Sequence, residues 1–333
     1  MRAVVITEPD VLEVVKVDDP TPERDDVVVA VRGCGICGTD LHLVSGDLGL
    51  DRLPLIPGHE PWGEVVAVGS RVSNVSIGDL VAVDPSLHCS QCTPCRRGQG
   101  NMCEAWGAIG GTRSGAWADF VLAPSANAHR LPRDLPLNAA PLIEPVACAI
   151  RGLQRLNPAP DEAAIVFGAG TMGLILTLML ESRGVGPVTL VETNADRRDL
   201  ARKLTRAEVL TPDEAADLRA PWVLEATGNP RAFEAALSCV QRAGTFLVFG
   251  VASPQATAQV SPHRIYADEL TILGSMAILR TFGPAVDAVA RHADVLAPLI
   301  TDVVALENIE AGLEAVRSGT AVKVVVDPTI SAA

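Results

Sequence analysis

Residues 165–173 read Ile165-Val-Phe-Gly-Ala-Gly-Thr-Met-Gly173, and this stretch decides the fold class. A short apolar run leads into glycines at 168, 170 and 173, in the Gly-x-Gly-x-x-Gly spacing, and an apolar segment from Met172 to Ser182 follows at helical length. A second strand-like run, Pro187 to Glu192, completes a strand–turn–helix–strand unit. In that context each glycine has its own use. Gly168 permits the tight turn, Gly170 lets backbone approach a pyrophosphate, and Gly173 lets the helix pack on the strand. The helix N-terminus adds amide donors for an anion. Glu192 stands 24 positions after Gly168, near the ~20-residue offset at which a carboxylate accepts from an adenosine ribose. It also repels a phosphate there, which favours NAD over NADP; Arg197 and Arg198, close by, are the counter-argument.

Working outward, strand patterns at Trp222–Glu225, Thr245–Gly250 and Leu270–Leu273 alternate with helical ones, as a doubly wound parallel sheet requires. Residues 1 to about 130 have another texture, dense in Val, Gly, Pro and Asp, with short runs such as Val27–Val31 and Gly63–Val68 broken by turn residues. That is a β-rich domain. Beyond the sheet the pattern turns mixed, with a helix near Glu307–Ser318 and a strand at Val322–Val326.

Composition narrows the function. The 333 residues suit two domains, each able to bury a core. A net charge of −13 repels phosphate backbones and anionic lipid, so nucleic acid is not an expected partner. The apolar stretch Gly173–Leu180 is far short of the roughly 20 residues that a membrane helix needs. The Met1–Asp10 stretch lacks the basic start and apolar core of an export signal, so a cytoplasmic setting is expected. In such a reducing setting, clustered cysteines read better as metal ligands than as disulfides.

Four of the eight cysteines, Cys89, Cys92, Cys95 and Cys103, form a Cys-x2-Cys-x2-Cys-x7-Cys array in a loop punctuated by Pro94, Gly98 and Gly100. Four thiolates so close in sequence can close a tetrahedron around a structural Zn²⁺, leaving no position for substrate. An iron–sulfur cluster also takes four cysteines, and four unrelated buried thiols are the plain alternative. A second set is dispersed: Cys37, the adjacent His59 and Glu60, and Glu144 before Pro145. Mixed S, N and O donors with one open position would make a catalytic zinc, but taken singly a lone Cys is usually a small buried hydrophobe and a lone Glu a solvated charge. Cys34, Cys148 and Cys239 sit in apolar neighbourhoods and read as packing residues.

Taken together, Gly33-Cys-Gly-Ile-Cys-Gly-Thr-Asp-Leu-His42, Pro57-Gly-His-Glu60, Gly63-Glu-Val-Val-Ala-Val-Gly69, Gly78-Asp-Leu-Val81, the cysteine quartet, Glu144-Pro145 and the Gly-rich turn resemble the zinc-containing medium-chain alcohol dehydrogenases over nearly the whole chain. The resemblance implies an α/β protein with a GroES-like β-rich catalytic domain at 1–148 holding both zincs. A Rossmann NAD-binding domain follows at 149–283, and 284–333 return to the catalytic domain. It implies Cys37 and His59 as ligands of the catalytic zinc. Glu60 is either a third ligand or linked through water, and Glu144 either binds the metal or holds its water. Simple-alcohol relatives carry a cysteine where this chain has Glu144, which points to the sorbitol, glucose and threonine dehydrogenase branch. Thr39 and His42 are implied as a proton relay through cofactor ribose, with Asp40 structural. Thr171, Met172, Thr227 and Ser275 are implied as cofactor contacts beside the three glycines and Glu192.

The expectation is therefore a hydride transfer between NAD and a small secondary alcohol or its carbonyl: a polyol, cyclitol, sugar or amino alcohol. Simple alcohols are the rival substrates. A zinc-stabilised NAD-binding protein without catalysis is the rival class, although it would have no reason to keep Cys37, His59, Glu60, Glu144 and Thr39 together. A homodimer or homotetramer is implied by the resemblance alone.

Overall fold

In the computed structural model, which describes residues 1–331, the Gly-rich stretch lies where a fully buried strand turns into a helix. The chain begins with β1 (Arg2–Glu8), β2 (Val11–Lys16), β3 (Asp26–Gly35), α1 (Gly38–Val44), β4 (Glu60–Val68), β5 (Leu80–Val83), β6 (Ser86–Leu87), α2 (Thr93–Arg96), β7 (Gly107–Ala108), β8 (Phe120–Pro124), β9 (Ala128–Arg130) and α3 (Ile143–Leu156). Next come β10 (Ala164–Phe167), α4 (Thr171–Ser182), β11 (Val188–Val191), α5 (Ala195–Leu204), β12 (Glu208–Leu210), α6 (Pro212–Ala215), β13 (Ala220–Glu225), α7 (Pro230–Ser238), β14 (Val240–Val248), α8 (Pro262–Ala267) and β15 (Thr271–Gly274). The chain closes with α9 (Phe282–Arg291), α10 (Ala293–Leu296), β16 (Ile300–Val304), α11 (Ile309–Ser318) and β17 (Lys323–Val326). Two compact units result: Cys148–Ala277, and Met1–Ala147 together with the chain from Ile278 onward.

The Cys148–Ala277 unit is a six-stranded parallel sheet in the order β12-β11-β10-β13-β14-β15. The winding starts at β10, runs outward through β11 and β12, then resumes on the other side of β10 at β13. That reversal creates the switch point at which open α/β sheets bind ligands. All of β10 is buried, so it reads as an unbroken apolar run rather than an alternating one. The same holds for α4, whose residues Gly173–Leu180 are all buried; its sequence is apolar around its whole circumference because no side of it meets water. Strand β14 starts at Val240, earlier than the apolar run at Thr245 suggests. Its first half, Gln241-Arg242-Ala243, is exposed, so no apolar run marks it.

In the other unit, the sheet follows the path β16-β17-β3-β4-β5-β9, with β8 also paired to β3. Val27, Val29 and Val31 alternate along β3 into a core shared with Val4, Ile6, Val65, Val81 and Val121. The last strand, β17, pairs antiparallel with β3, setting Val325 opposite Gly35 and Val326 opposite Cys34. The end of the chain thus completes the sheet that its beginning started. Helix α11 ends at Gly319 in the left-handed region (φ 76°), the usual stop for a helix entering a strand. Among the described residues no helix is long and apolar enough to cross a membrane.

Close packing predicts a contrast between two glycines. A methyl group at Gly173 would run into the Gly168 carbonyl, whereas one at Gly283 in α9 meets open space. Gly173→Ala should therefore cost about 1–3 kcal/mol. Gly283→Ala should be neutral or stabilise by up to about 1 kcal/mol through the unfolded state. Thermal unfolding of both variants checks the pair.

Candidate active site and metal centres

Three of the four dispersed ligand candidates converge. Cys37 precedes α1, and its amide donates to Asp40 Oδ2 at 2.8 Å while the Asp40 amide donates to the Cys37 carbonyl at 3.0 Å. This reciprocal turn fixes the thiol at the start of the helix. His59 follows Gly58, which is left-handed (φ 94°), and a side chain there would collide with Trp117 and Cys34. Glu60 opens β4 directly opposite Gly35 of β3. The result is that one ligand atom each from Cys37, His59 and Glu60 lies within 4.8 Å of the others. A thiolate, an imidazole and a carboxylate suit a borderline ion such as Zn²⁺, and three protein donors leave a fourth position open.

Asp40, which the sequence marks as merely structural, faces this group. Its carboxylate is fully buried with Oδ1 3.3 Å from His59 Nδ1, an ion-pair contact that helps to orient the ring. Burial opposes charge on the His59 ring, yet the charge and hydrogen bond of Asp40, with Cys37 beside it, raise its pKa well above the usual value. Lys323 of β17 carries no signal in the sequence. Its ammonium is buried, donates to the Ile36 carbonyl at 3.0 Å and forms an ion pair with Glu60. Burial works against its charge, and Glu60, then Cys37 and Glu144, more than restore it. Glu144 is buried in the first turn of α3, where the helix dipole favours a carboxylate. It stands outside the three-residue group, and its charge reaches Lys323.

Thr39 and His42 lie three residues apart on α1, hence on one face. Thr39 Oγ is 3.8 Å from Cys37 Sγ, and His42 Nδ1 is 3.1 Å from Asp47 Oδ2 at a half-buried position. Thr39 thus stands beside the Cys37 thiol, and His42 stands nearer to solvent.

The quartet also closes. Cys89, Cys92, Cys95 and Cys103 place their sulfurs within 4.8 Å of one another around α2. Four sulfurs about 2.3 Å from one ion stand about 3.8 Å apart in a tetrahedron, and Cys92 Sγ and Cys103 Sγ are 3.8 Å apart. An iron–sulfur cluster interposes several atoms between its thiolates and needs them wider. Backbone amides serve the sulfurs: Gln91 and Cys92 donate to Cys89 at 3.4 and 3.3 Å, and Cys89 and Ala105 donate to Cys103 at 3.3 Å each. The amides of Gln91 and Cys92 are the main cause that brings Cys89 down to about 6, so it is a thiolate at neutral pH. Cys34 and Cys239, by contrast, are buried packing residues, and burial raises both thiols.

In the Cys148–Ala277 unit the three glycines lie where β10 turns into α4. Gly168 is left-handed (φ 98°), Gly173 packs against its carbonyl, and Gly170 faces open space apart from the Arg197 guanidinium at 4.0 Å. Thr171 and Met172 open α4. Glu192, at the end of β11, is buried and accepts from the amides of Ala169 at 2.7 Å and Asn194 at 2.8 Å. Thr227 follows β13, its amide donating to Glu225 at 2.5 Å. Ser275 follows β15, and its buried hydroxyl has no hydrogen-bond partner among the described residues, nor has Arg197 Nε. All these positions lie at the carboxyl ends of the parallel strands, where a cofactor would supply the missing partners.

Comparison with known proteins agrees with this geometry. Residues 23–133 match the alcohol dehydrogenase GroES-like domain, and residues 141–327 match the glucose dehydrogenase C-terminus. A D-arabinitol dehydrogenase from Uromyces fabae is 32% identical over 98% of this chain and 97% of its own length. A D-altritol 5-dehydrogenase from Agrobacterium fabrum is 35% identical over 82% of this chain and 83% of its own. A zinc-binding dehydrogenase structure from Sinorhizobium meliloti 1021, bound to NADP, is similar with a TM-score of 0.93 at 27% identity, covering 98% of this chain and 99% of the other. The chain belongs to the zinc-containing medium-chain alcohol dehydrogenase family, in its sorbitol, glucose and threonine dehydrogenase-like branch.

Proposed function

We propose that the protein oxidises a secondary hydroxyl flanked by a second polar group, in a polyol, cyclitol, sugar or amino alcohol, with NAD as hydride acceptor, or runs the reverse reduction. The convergence of Cys37, His59 and Glu60 carries this reading, and the arabinitol and altritol activities of two relatives support the substrate class. When bound, zinc supplies the Lewis acidity that acidifies a hydroxyl and nicotinamide supplies the hydride acceptor. The protein's own work is placement and proton handling. Cys37, His59 and Glu60 would hold the catalytic ion, with Glu144 ligating directly or holding water, while the quartet would hold a structural zinc. Thr39 would take the hydroxyl proton while giving up its own toward His42, and His42 would release a proton to solvent.

Two carboxylates, Glu60 and Glu144, make this pocket more polar than one built from two thiolates, and they can accept from a neighbouring hydroxyl or ammonium. Glu192 supports NAD over NADP, since its carboxylate offers an acceptor to a ribose hydroxyl and a like charge to a phosphate. Arg197, against Gly170, is the residue that would favour NADP. A reducing, cytoplasmic setting suits a quartet that must stay thiolate. For the oligomer, a homodimer or homotetramer, the edge strand β15 with exposed Ile272 offers a surface.

Three measurements bear on this reading. Elemental analysis should find two zincs per chain. Cys92→Ser should lose one and lower the melting temperature. Cys37→Ser should lose the other and reduce kcat/KM by about a thousandfold or more, several kcal/mol of charge stabilisation. Near-wild-type turnover of Cys37→Ser would contradict the assignment. With cofactors compared at equal concentration, Glu192→Ala should relax NAD preference by about ten- to a hundredfold, the worth of a charged hydrogen bond; faster wild-type turnover with NADP would show that Arg197 prevails. Across a panel of alcohols, a vicinal diol or amino alcohol should exceed its matching mono-alcohol in kcat/KM by at least about a hundredfold. A simple alcohol as the best substrate would overturn the substrate class and leave the dehydrogenase standing.

A further inference from the structure

Helix α1 ends in a turn that bends the chain back toward its own last residues. Gly46 is left-handed there (φ 78°), and the His42 carbonyl accepts from the Leu48 amide at 3.1 Å and from the Ser45 hydroxyl at 3.3 Å. This return brings Asp47 to the imidazole of His42, with Oδ2 3.1 Å from Nδ1. The hydrogen bond with His42, then one with Ser45, holds the Asp47 carboxyl below its usual range. At neutral pH it is therefore a carboxylate and can only accept, so the shared proton belongs to Nδ1. Helix α11, which packs on α1, shares an apolar cluster with it through Ile309, Leu313, Leu43 and Val44. The acids of α11, Glu310 and Glu314, are exposed, and Glu314 pairs with Arg317. Among the described residues, Asp47 is the carboxylate within ion-pair reach of the His42 ring.

Resting on the reading of Thr39 and His42 as the proton path, we propose that Asp47 is its third member, a positioning residue that sets which ring nitrogen of His42 carries the proton onward. Asp47 accepts from Nδ1–H whether the ring is neutral or charged, so Nε2 is the nitrogen that gains and loses a proton. In alcohol oxidation the substrate hydroxyl gives its proton to Thr39, Thr39 gives up its own toward Nε2, and the imidazolium beside Asp47 returns one proton to water. The carbon loses its hydride to the nicotinamide, so one proton and one hydride leave the alcohol and nothing further is consumed. The His42 side chain is 28% exposed, which suits it to the last transfer. Without a carboxylate at Nδ1, a neutral imidazole favours its other tautomer, with the proton on Nε2 and no lone pair there to receive another. The carboxylate also stabilises the imidazolium while it exists. An exposed ion pair with no part in the path would set neither the tautomer nor the rate.

The tautomer of His42 is the test. Zinc-loaded protein, labelled with heavy nitrogen in its histidine rings, is studied by NMR at alkaline pH, where imidazole is neutral. The His42 signals are identified by their loss in His42→Ala. Wild-type His42 should carry its proton on Nδ1, and Asp47→Ala should move it largely to Nε2, with little change in melting temperature because the pair is solvent-exposed. Turnover should follow the tautomer. With the best vicinal diol of the panel, His42→Ala should lower kcat/KM by about tenfold or more and Asp47→Ala by about three- to tenfold. Asp47→Glu should restore most of the loss, and adding Asp47→Ala to His42→Ala should cost nothing further, since the two residues act as one. A wild-type ring protonated on Nε2, or a folded Asp47→Ala variant whose ring keeps Nδ1–H, overturns the proposal. So does unchanged turnover in Asp47→Ala, or a loss that persists when His42 is already absent. Unchanged kcat/KM in His42→Ala would defeat the proton path itself and the proposal with it, a result distinct from failure of Asp47 alone.

Discussion

A charge taken out of water must meet its opposite, and the Lys323–Glu60 pair is where this protein's architecture answers that demand. Glu60 is placed by the start of β4, and Lys323 by the start of β17, 263 residues later in the chain (323 − 60). Only the sheet register that puts both beside Gly35 lets them meet. Breaking such a pair by removing one partner typically costs about 3–5 kcal/mol. The end of the chain is therefore tied chemically to the corner where Cys37, His59 and Glu60 converge.

Around that corner the other placements are local. The reciprocal turn between Cys37 and Asp40 sets the thiol. The left-handed Gly58 bends His59 toward it, and buried Asp40 fixes the ring. Each device uses a residue type that its position requires. The quartet follows the same logic with amide N–H groups in place of charged partners: donors are aimed at the sulfurs of Cys89 and Cys103. In the parallel sheet, the orphaned Ser275 hydroxyl and Arg197 Nε mark the mirror case, polar atoms left waiting at the strand ends.

How much of this could be read from sequence depended on how far apart the cooperating residues were. The quartet spans Cys89–Cys103 and the Gly-rich turn Gly168–Gly173, so spacing alone constrained their geometry. Fold class was legible for the same reason, since each strand and helix is a local stretch set off by turn residues. Cys37, His59 and Glu60 became a group through family resemblance and not through spacing, because the β3–β4 pairing that joins them is non-local. Asp40 was underrated because nothing in its neighbours announces that it faces His59. Lys323 was invisible: it is a single lysine inside the apolar strand Val322-Lys-Val-Val-Val326, whereas β17 is flanked on both sides and Lys323 is buried.

The central claim is that two metal sites of different chemistry coexist, one closed by sulfur alone and one mixed and open. X-ray absorption at the zinc edge of the purified protein tests it directly. The account predicts an average near 2.5 sulfurs per zinc, from four in one site and one in the other, with the remaining shell made of nitrogen and oxygen at about 2.0–2.2 Å. A shell of four sulfurs only, at one zinc per chain, would show that Cys37, His59 and Glu60 hold no metal and would contradict the account.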